Sequence, residues 1–167
     1  VAQSESAVFN VGYKIYDFPY QDSNGKSKIL TTAVWYPTNQ APQDYTYHTL
    51  KENLRQGDIK SRIAVNAKVA NGGPYPLFIF SHGAATCGTQ SLFLTEYLAS
   101  RGFIVAAPDY SDEVVVCRIK GGASGRMLQV LKLLPKLKEE NATSAEVLSY
   151  FEDWFRFKGL SLVIDKM

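Results

Sequence analysis

The sequence predicts an α/β fold in which an antiparallel hairpin is followed by parallel strands joined by crossover helices. The pair Asn24-Gly25 separates two strand-like stretches, which is typical of a tight hairpin. Farther along, two short apolar runs, at 77–80 and 103–107, enclose a stretch with helical spacing. That order is typical of a strand-helix-strand crossover.

The two strands of the hairpin are predicted from alternation and from residue type. Apolar or aromatic side chains at positions 9, 11, 13 and 15 alternate with mostly polar neighbours. Residues 29–36 are rich in β-branched and aromatic side chains, which favour strands. Asn24-Gly25 supplies the positive backbone angles that a tight turn between them requires.

Residues 37–76 are rich in Gln, Asn, Gly and Pro and show little periodicity. This composition predicts a long surface excursion that crosses the sheet. Within it, the stretch LKENLRQG at 50–57 is compatible with a short helix. We therefore treat residues 1–167 as one α/β segment with the excursion as its longest connection.

The crossover begins at 77–80, an apolar run of the kind expected for a strand covered on both faces. Between positions 90 and 101 apolar side chains recur at helical spacing, and Gly102 stands where a helix C-cap belongs. The second apolar run follows at 103–107. Strands joined in this way should be parallel, with a right-handed connection.

The remainder of the chain holds two further helical patterns. Thr143 and Glu146 have the spacing of a capping box in front of an apolar helix face. The final stretch, LSLVIDKM, resembles another apolar helix face. Pro135 either breaks an element or begins one, and both interpretations stay open.

The composition excludes several classes of function. A chain of 167 residues with 46% hydrophobic and 20% charged content can build one globular domain with a real core. The net charge of +2 comes from interspersed residues without a basic run, so nucleic acid is not an expected partner. No window approaches the roughly 18 apolar residues of a transmembrane segment. Paired ligands at metal spacing are also missing from the sequence, so no metal site is expected.

Cys87 and Cys117 are the two cysteines of the sequence. They would form a disulfide in an exported protein if residues 112–116 fold back, and free thiols are the alternative. The first residue is not methionine, which suits a secreted or periplasmic protein after signal removal and equally a trimmed sequence. Asn141 begins a formal glycosylation sequon, which is a weak signal.

The segment SHGAATCG at 81–88, between the first crossover strand and the helix, is the candidate site. In an open parallel sheet, chemistry gathers at the carboxyl ends of strands, so this segment and residues 109–117 should line one cleft. Gly83 is followed by small residues and then by a helix. That arrangement lets backbone N–H groups face the cleft and hold a negatively charged oxygen.

These residues carry a resemblance to a known superfamily. The stretch YPLFIFSHGAATCGTQSLFLTEYLASRGFIVAAPDYSDE resembles the third-strand, oxyanion-loop and fourth-strand region of α/β-hydrolases. It is most similar to the branch of platelet-activating-factor acetylhydrolases and dienelactone-hydrolase-like esterases. VGYKIYDFPYQDSNGKSKILTTAVWYPT resembles the opening hairpin of that branch, and FRFKGLSLVIDKM resembles the helix before its nucleophile strand.

The resemblance implies the amino-terminal half of an α/β-hydrolase sheet, cut just before the catalytic serine. Such enzymes carry their nucleophile in a G-x-S-x-G elbow, followed by an Asp and a His. GGASG at 121–125 has a different spacing, and no other candidate elbow is present. A carboxy-terminal fragment or subunit would therefore complete the enzyme and pair with the strand at 77–80. The implied substrate is a small-molecule or lipid ester, no cofactor is implied, and the chain alone is expected to be inactive.

The resemblance also implies roles for single residues. The backbone N–H of Ala84 would bind the oxyanion of a tetrahedral intermediate. From the residues themselves, Ser81 is expected to end the strand, His82 to brace the turn, and Gly83 to let the backbone swing so that the Ala84 amide faces the cleft. We expect four residues to line the substrate side: Gly83, Ala85, Thr86 and Tyr110. For Tyr110, a plain structural role is the alternative.

Other assignments stay open at this point. The chain could be a non-catalytic ligand-binding module, or a small enzyme with Ser81 or Cys87 as nucleophile and His82 as base. Asp109 could be a catalytic acid, although a turn or capping role is favoured. His48 is expected to be simply solvent-exposed.

Overall fold

The structure is a computed structural model that describes residues 8–21, 25–50, 56–83, 86–110, 117–121 and 163–165. The elements are β1 (Asn10–Gln21), β2 (Ser27–Thr38), β3 (Gln43–Leu50), β4 (Gln56–Val65), β5 (Leu77–Ile79), α1 (Leu92–Ser100) and β6 (Ile104–Asp109). In this part of the chain, the strands form one sheet in the order β3-β4-β1-β2-β6-β5. Helix α1 lies between β5 and β6 in sequence.

The predicted opening hairpin is confirmed. β1 and β2 pair antiparallel along their whole length, from Asn10 opposite Thr38 to Gln21 opposite Ser27. Gly25 has a φ of 73°, the left-handed conformation that the turn prediction required of it. The hairpin therefore follows from a local signal, because both its strands and its turn are encoded in adjacent residues.

Residues 37–76 differ from the expected excursion because they contain a second hairpin. β3 and β4 pair antiparallel from Gln43 opposite Ile63 to Leu50 opposite Gln56. β4 then joins the sheet through a short parallel pairing with β1. The suggested helix at 50–57 is wrong at both ends, because residues 50, 56 and 57 belong to strands. Residues 51–55 lie outside the described part of the chain.

The predicted crossover is confirmed. β5 and β6 pair in parallel, with Leu77 opposite Ile104 and Ile79 opposite Ala106, and α1 connects them. β6 also pairs antiparallel with β2, so it lies inside the sheet while β5 lies at its end. Gly102, the predicted C-cap, has a φ of 91°.

Each face of the sheet carries a core of its own, since neighbouring residues of a strand point to opposite faces. On one face α1 packs against the central strands, and Trp35 and Tyr47 are completely or almost completely buried there. The other face is centred on Val34 and Ala106. Val163, from the final helical stretch, is fully buried in this second core.

Several predictions fall outside the described residues. They concern the capping box of Thr143 and Glu146, Pro135 and the sequon at Asn141. Residues 163–165 of the final stretch are helical, as its apolar pattern indicated. None of the helical segments that the structure describes has the length and apolar character needed to cross a membrane.

Candidate active site

The parallel pairing of β5 and β6 brings the ends of both strands to one edge of the sheet. Residues 81–89, called here the β5–α1 loop, leave β5 at this edge, and Tyr110 follows β6. The Tyr110 hydroxyl donates a hydrogen bond to Ser81 Oγ over 3.2 Å. The structure thus brings together two predicted site residues that are 29 positions apart in sequence.

The near end of the β5–α1 loop, residues 81–83, is arranged around a buried histidine. Ser81 and Gly83 are exposed, whereas His82 has only 1% of its surface exposed. The centroid of the His82 ring lies 5.2 Å from that of Tyr110. The histidine therefore lies beneath the loop and against the residue that follows β6.

The hydrogen bonds of His82 determine which of its ring nitrogens carries a proton. Nδ1 lies 2.9 Å from the carbonyl oxygen of Gly83, which can only accept, so Nδ1 is the donor. Thr86 Oγ1 donates to the same carbonyl oxygen over 2.7 Å and lies 3.2 Å from Nδ1. His82, Gly83 and Thr86 therefore form one small hydrogen-bond network inside the loop. This network holds the near end of the loop close to Thr86.

Two of the predicted site residues, Ala84 and Ala85, lie outside the described residues. The role of the Ala84 amide as oxyanion donor therefore stays a prediction. The structure describes the loop on both sides of these two alanines, at 81–83 and at 86–89.

The two glycines of the loop differ in the space around them. A Cβ added to Gly83 would meet no atom within 4 Å, and its φ lies outside the left-handed region. Gly83 therefore has room for a side chain, and its role in shaping the loop stays a prediction. At Gly88 an added Cβ would lie 2.9 Å from the carbonyl oxygen of Ala107 and 3.1 Å from Ile119 Cδ1. Gly88 is the position where the loop approaches β6 too closely for a side chain.

The far end of the loop, residues 87–89, is buried and covalently attached. Cys87 forms a disulfide with Cys117, with the two Cα atoms 5.4 Å apart. The alternative of two free thiols is thereby excluded for this structure. The disulfide joins the loop to residues 117–121, the described segment that follows β6.

Asp109 holds the 117–121 segment in position. Its Oδ2 accepts a hydrogen bond from the backbone N–H of Ile119 over 3.0 Å, and its side chain is almost fully buried. Arg118 Nη1 lies 3.9 Å from Oδ1 of the same carboxylate and donates to the Tyr110 carbonyl over 2.9 Å. These contacts match the turn role that the sequence favoured for Asp109 over a role as catalytic acid.

Thr89 connects the far end of the loop to the unpredicted β3–β4 hairpin. Its Oγ1 donates to the carbonyl oxygen of His48 over 2.5 Å, and Thr49 Oγ1 donates to the Thr89 carbonyl oxygen over 2.8 Å. His48 is not merely solvent-exposed, because its Nδ1 lies 2.9 Å from Asp58 Oδ1 across the hairpin. Sequence reasoning missed Thr49 and Thr89, and no local pattern would have paired residues 40 positions apart.

Two carboxyl groups close to these elements have shifted pKa values. Hydrogen bonds from Lys120 and Thr31 lower the pKa of Asp17 on β1 below its ordinary value. Burial raises the pKa of Glu96 on α1, against the opposing effect of a 3.0 Å hydrogen bond from Ser61 Oγ. The described residues contain no group of three or more His, Cys, Asp or Glu side chains that could hold a metal ion.

Comparison with known proteins gives a family match and a structural match. The family model "Platelet-activating factor acetylhydrolase, isoform II" matches residues 12–124. A platelet-activating factor acetylhydrolase of Cavia porcellus is 33% identical over 104 residues, covering 58% of this chain and 22% of that protein. One of Gallus gallus is 33% identical over 87 residues, covering 47% and 21%. The chain thus matches about a fifth of the length of these relatives.

The structural match concerns the fold alone. A ferulic acid esterase from Streptomyces cinnamoneus superimposes with a TM-score of 0.61 at 22% identity. The superposition covers 95% of this chain and 46% of that esterase. Together with the sheet order and the crossover, it confirms the predicted fold class, part of an α/β-hydrolase sheet.

Proposed function

Because the chain belongs to the platelet-activating factor acetylhydrolase, isoform II, family, we propose that it contributes the oxyanion loop of a serine ester hydrolase. In such an enzyme a serine attacks the ester carbonyl, a histidine transfers the proton, and backbone N–H groups bind the tetrahedral oxyanion. The nucleophile, the base and the acid are expected on a carboxy-terminal part of the same protein or on a second subunit. This chain alone is expected to be inactive.

The observation that supports this proposal best is the arrangement of the β5–α1 loop. The loop leaves a strand at the same edge as Tyr110, and it is attached to neighbouring elements on both sides of Ala84. A backbone donor stabilises an oxyanion only if it is held in place before the reaction begins. From the typical effect of one such donor, we expect the Ala84 amide to lower the barrier by about 3 kcal/mol.

We expect the substrate to be a carboxylic ester, either a small molecule or a lipid. The guinea pig and chicken relatives are acetylhydrolases by name, and the structural neighbour is an esterase by name. The acyl transfer chemistry proposed here requires no cofactor. The Cys87–Cys117 disulfide suits an oxidising compartment, which supports a secreted protein.

The edge formed by β5 supports a contribution from the rest of the protein. β5 pairs with β6 on one side, and none of the described strands pairs with its other side. Leu77 and Phe78 each keep 39% of their surface exposed there. Because an open apolar strand edge invites pairing, we propose that a strand from the carboxy-terminal part occupies it.

The test uses the full-length protein that contains this chain. It is incubated with a fluorophosphonate probe, which labels activated serines, and is assayed with a short-chain p-nitrophenyl ester. We expect hydrolysis, and we expect mass spectrometry to find the label on a serine outside residues 1–167. This chain expressed alone serves as the matched control and should take up no label.

Other outcomes favour the alternatives. Label on Ser81 or Cys87 would identify a small enzyme that is complete within this chain. The full-length protein would be a non-catalytic ligand-binding module if it folds and binds an ester or its carboxylate product but neither takes up label nor hydrolyses any ester. Either result would overturn the proposed function.

A further inference from the structure

The tip of the β3–β4 hairpin is attached to the β5–α1 loop by two hydrogen bonds that run in opposite directions. Thr49 Oγ1 donates to the carbonyl oxygen of Thr89, and Thr89 Oγ1 donates to the carbonyl oxygen of His48. Both threonine side chains are about 1% exposed. Buried hydrogen bonds of this kind are shielded from competing water and define the separation of the two backbones.

These two bonds matter for the loop because Thr89 lies only a few residues from Ala84 in the sequence. Thr89 follows Gly88, where the loop already touches the Ala107 carbonyl, and Cys87, which carries the disulfide. Only two residues, 87 and 88, separate it from Thr86, whose hydroxyl joins the network of the near end. A displacement of Thr89 would therefore be transmitted over a very short stretch of chain to the segment that contains Ala84.

The hairpin is anchored in the body of the sheet, because Tyr47 and Ile63 are buried in the core and the Tyr47 hydroxyl accepts a 2.9 Å hydrogen bond from Trp35 Nε1. Its pairing with β1 consists of Gly12 opposite Ala64 and Tyr13 opposite Val65. Another polar contact of the hairpin, from Ser61 Oγ to Glu96 Oε2, lies on helix α1 rather than on the loop. The two threonine hydrogen bonds reach the loop, whereas the Ser61 contact reaches the helix, which provides a matched pair for experiment.

We infer that Thr49 and Thr89 are positioning residues, through which the β3–β4 hairpin sets the geometry of the predicted oxyanion loop. This inference rests on the proposed function, because it assigns a role within that reaction. The hairpin contributes no reacting atom. It fixes the far end of the loop so that the amide at position 84 stays aligned with the developing negative charge, and small misalignments of such groups lower the rate strongly.

The experiment compares variants of the full-length protein. Thr49→Val removes the donor to the Thr89 carbonyl at similar side-chain volume, and Thr49→Ser retains the hydroxyl. Ser61→Ala removes the hairpin's contact with α1 and is the structural control. For each variant, kcat and KM are measured with a short-chain p-nitrophenyl ester, and the fraction folded is verified by denaturant unfolding.

We expect Thr49→Val to lower kcat about tenfold with KM changed by less than about twofold, since oxyanion contacts act in the transition state. Thr49→Ser should stay within about twofold of the wild-type kcat. Ser61→Ala should lower stability while leaving kcat of the folded protein unchanged. The inference is overturned if folded Thr49→Val retains the wild-type kcat, or if Ser61→Ala lowers kcat as much.

A second variant guards against loss of folding. If Thr49→Val does not fold, Thr89→Val takes its place in the test. It removes the donor to the His48 carbonyl and should show the same loss of kcat with little change in KM. If neither valine variant folds, the pair is a requirement of the fold and the inference is overturned. A wild-type protein that hydrolyses no ester and takes up no fluorophosphonate would instead refute the proposed function, and the inference with it.

Discussion

The two ends of the β5–α1 loop are built in opposite ways. At the near end, Ser81 and Gly83 are exposed, and His82 Nδ1 donates back to the Gly83 carbonyl of the loop itself. At the far end, residues 87–89 are all buried and are joined to other parts of the fold. The difference indicates that the far end supplies the rigidity of the loop, whereas the near end is left accessible at the edge of the sheet.

The attachments of the far end come from three separate parts of the chain. Cys87 is bonded to Cys117, Gly88 lies against β6, and Thr89 is held by the tip of the hairpin. Contacts from several elements restrain a backbone in more than one direction. Substitutions at the far end should therefore disturb stability much more than substitutions at the exposed positions of the near end, Ser81 and Gly83.

The largest effect is expected from removing the disulfide. Replacing Cys87 and Cys117 together by Ser should lower the free energy of unfolding by about 3 to 4 kcal/mol, because the bond closes a loop with a sequence separation of 30. Denaturant unfolding of the full-length protein measures the change. Treatment of the double variant with dithiothreitol is the control and should have no further effect. A loss below about 1 kcal/mol would show that the far end does not depend on this bond.

The next effect concerns the two glycines. Gly88→Ala should lower the free energy of unfolding by about 1 to 3 kcal/mol, because its Cβ would press on the backbone of Ala107. Gly83→Ala is the matched control and should change it by less than about 0.5 kcal/mol, since its Cβ meets open space. Equal effects at both positions, measured by chemical denaturation, would remove the contrast between the two ends.

A smaller effect with a defined sign is expected from Glu96, on the helix that follows the far end. Burial raises its pKa in the folded protein, so the fold favours the protonated carboxyl. Its contribution to stability is therefore greatest below the unfolded pKa and declines as the pH rises through the raised folded value. Glu96→Gln should reduce this decline in a series of unfolding midpoints between about pH 4 and pH 7.

Asp17 provides the internal control for that experiment. Its pKa is lowered by the hydrogen bonds from Lys120 and Thr31, so its contribution is present above the unfolded pKa and is lost as the pH falls through the folded value. Asp17→Asn should therefore leave the pH dependence between about pH 4 and pH 7 nearly unchanged and should reduce the loss of stability when the series is extended below about pH 4. A Glu96→Gln variant with the same pH dependence as the wild type would contradict the assigned burial of this carboxyl.

The smallest effect is expected at Ser81. Ser81→Ala removes the acceptor of the 3.2 Å hydrogen bond from Tyr110, on an exposed side chain, and should change the free energy of unfolding by less than about 1 kcal/mol. Most of the ester hydrolysis of the full-length protein should remain. If the folded variant instead lost both turnover and fluorophosphonate labelling, Ser81 would be the nucleophile and the proposed function would be wrong.

The parts of the fold that were predicted correctly are those with a local signal. Asn24-Gly25 marked the opening hairpin, and the apolar runs around α1 marked the crossover. The β3–β4 hairpin was missed because only part of it is buried. Tyr47 and Ile63 enter the core, while the neighbouring Lys60 and Arg62 are exposed, and this mixture lowered the apparent periodicity.

The site was predicted only where neighbours in sequence are also neighbours in space. The segment at 81–89 could be recognised, but the contrast between Gly83 and Gly88 depends on the carbonyl of Ala107 in another strand. Likewise, the disulfide depends on how the chain returns after β6, and the pairing of Thr49 with Thr89 depends on where the hairpin folds. Such contacts between distant residues cannot be read from residue type alone.

The disulfide also has a topological consequence, because Cys87 and Cys117 close a covalent ring that contains α1 and β6. β6 lies between β2 and β5, so the ring passes through the interior of the sheet. A protease that cuts once within residues 88–116 would open the ring without releasing either piece, and the two pieces would separate only after reduction. A cut at residues 39–42 lies before the ring, so this disulfide does not hold the two resulting pieces together. Electrophoresis with and without reductant would therefore distinguish cleavage inside the ring from cleavage outside it.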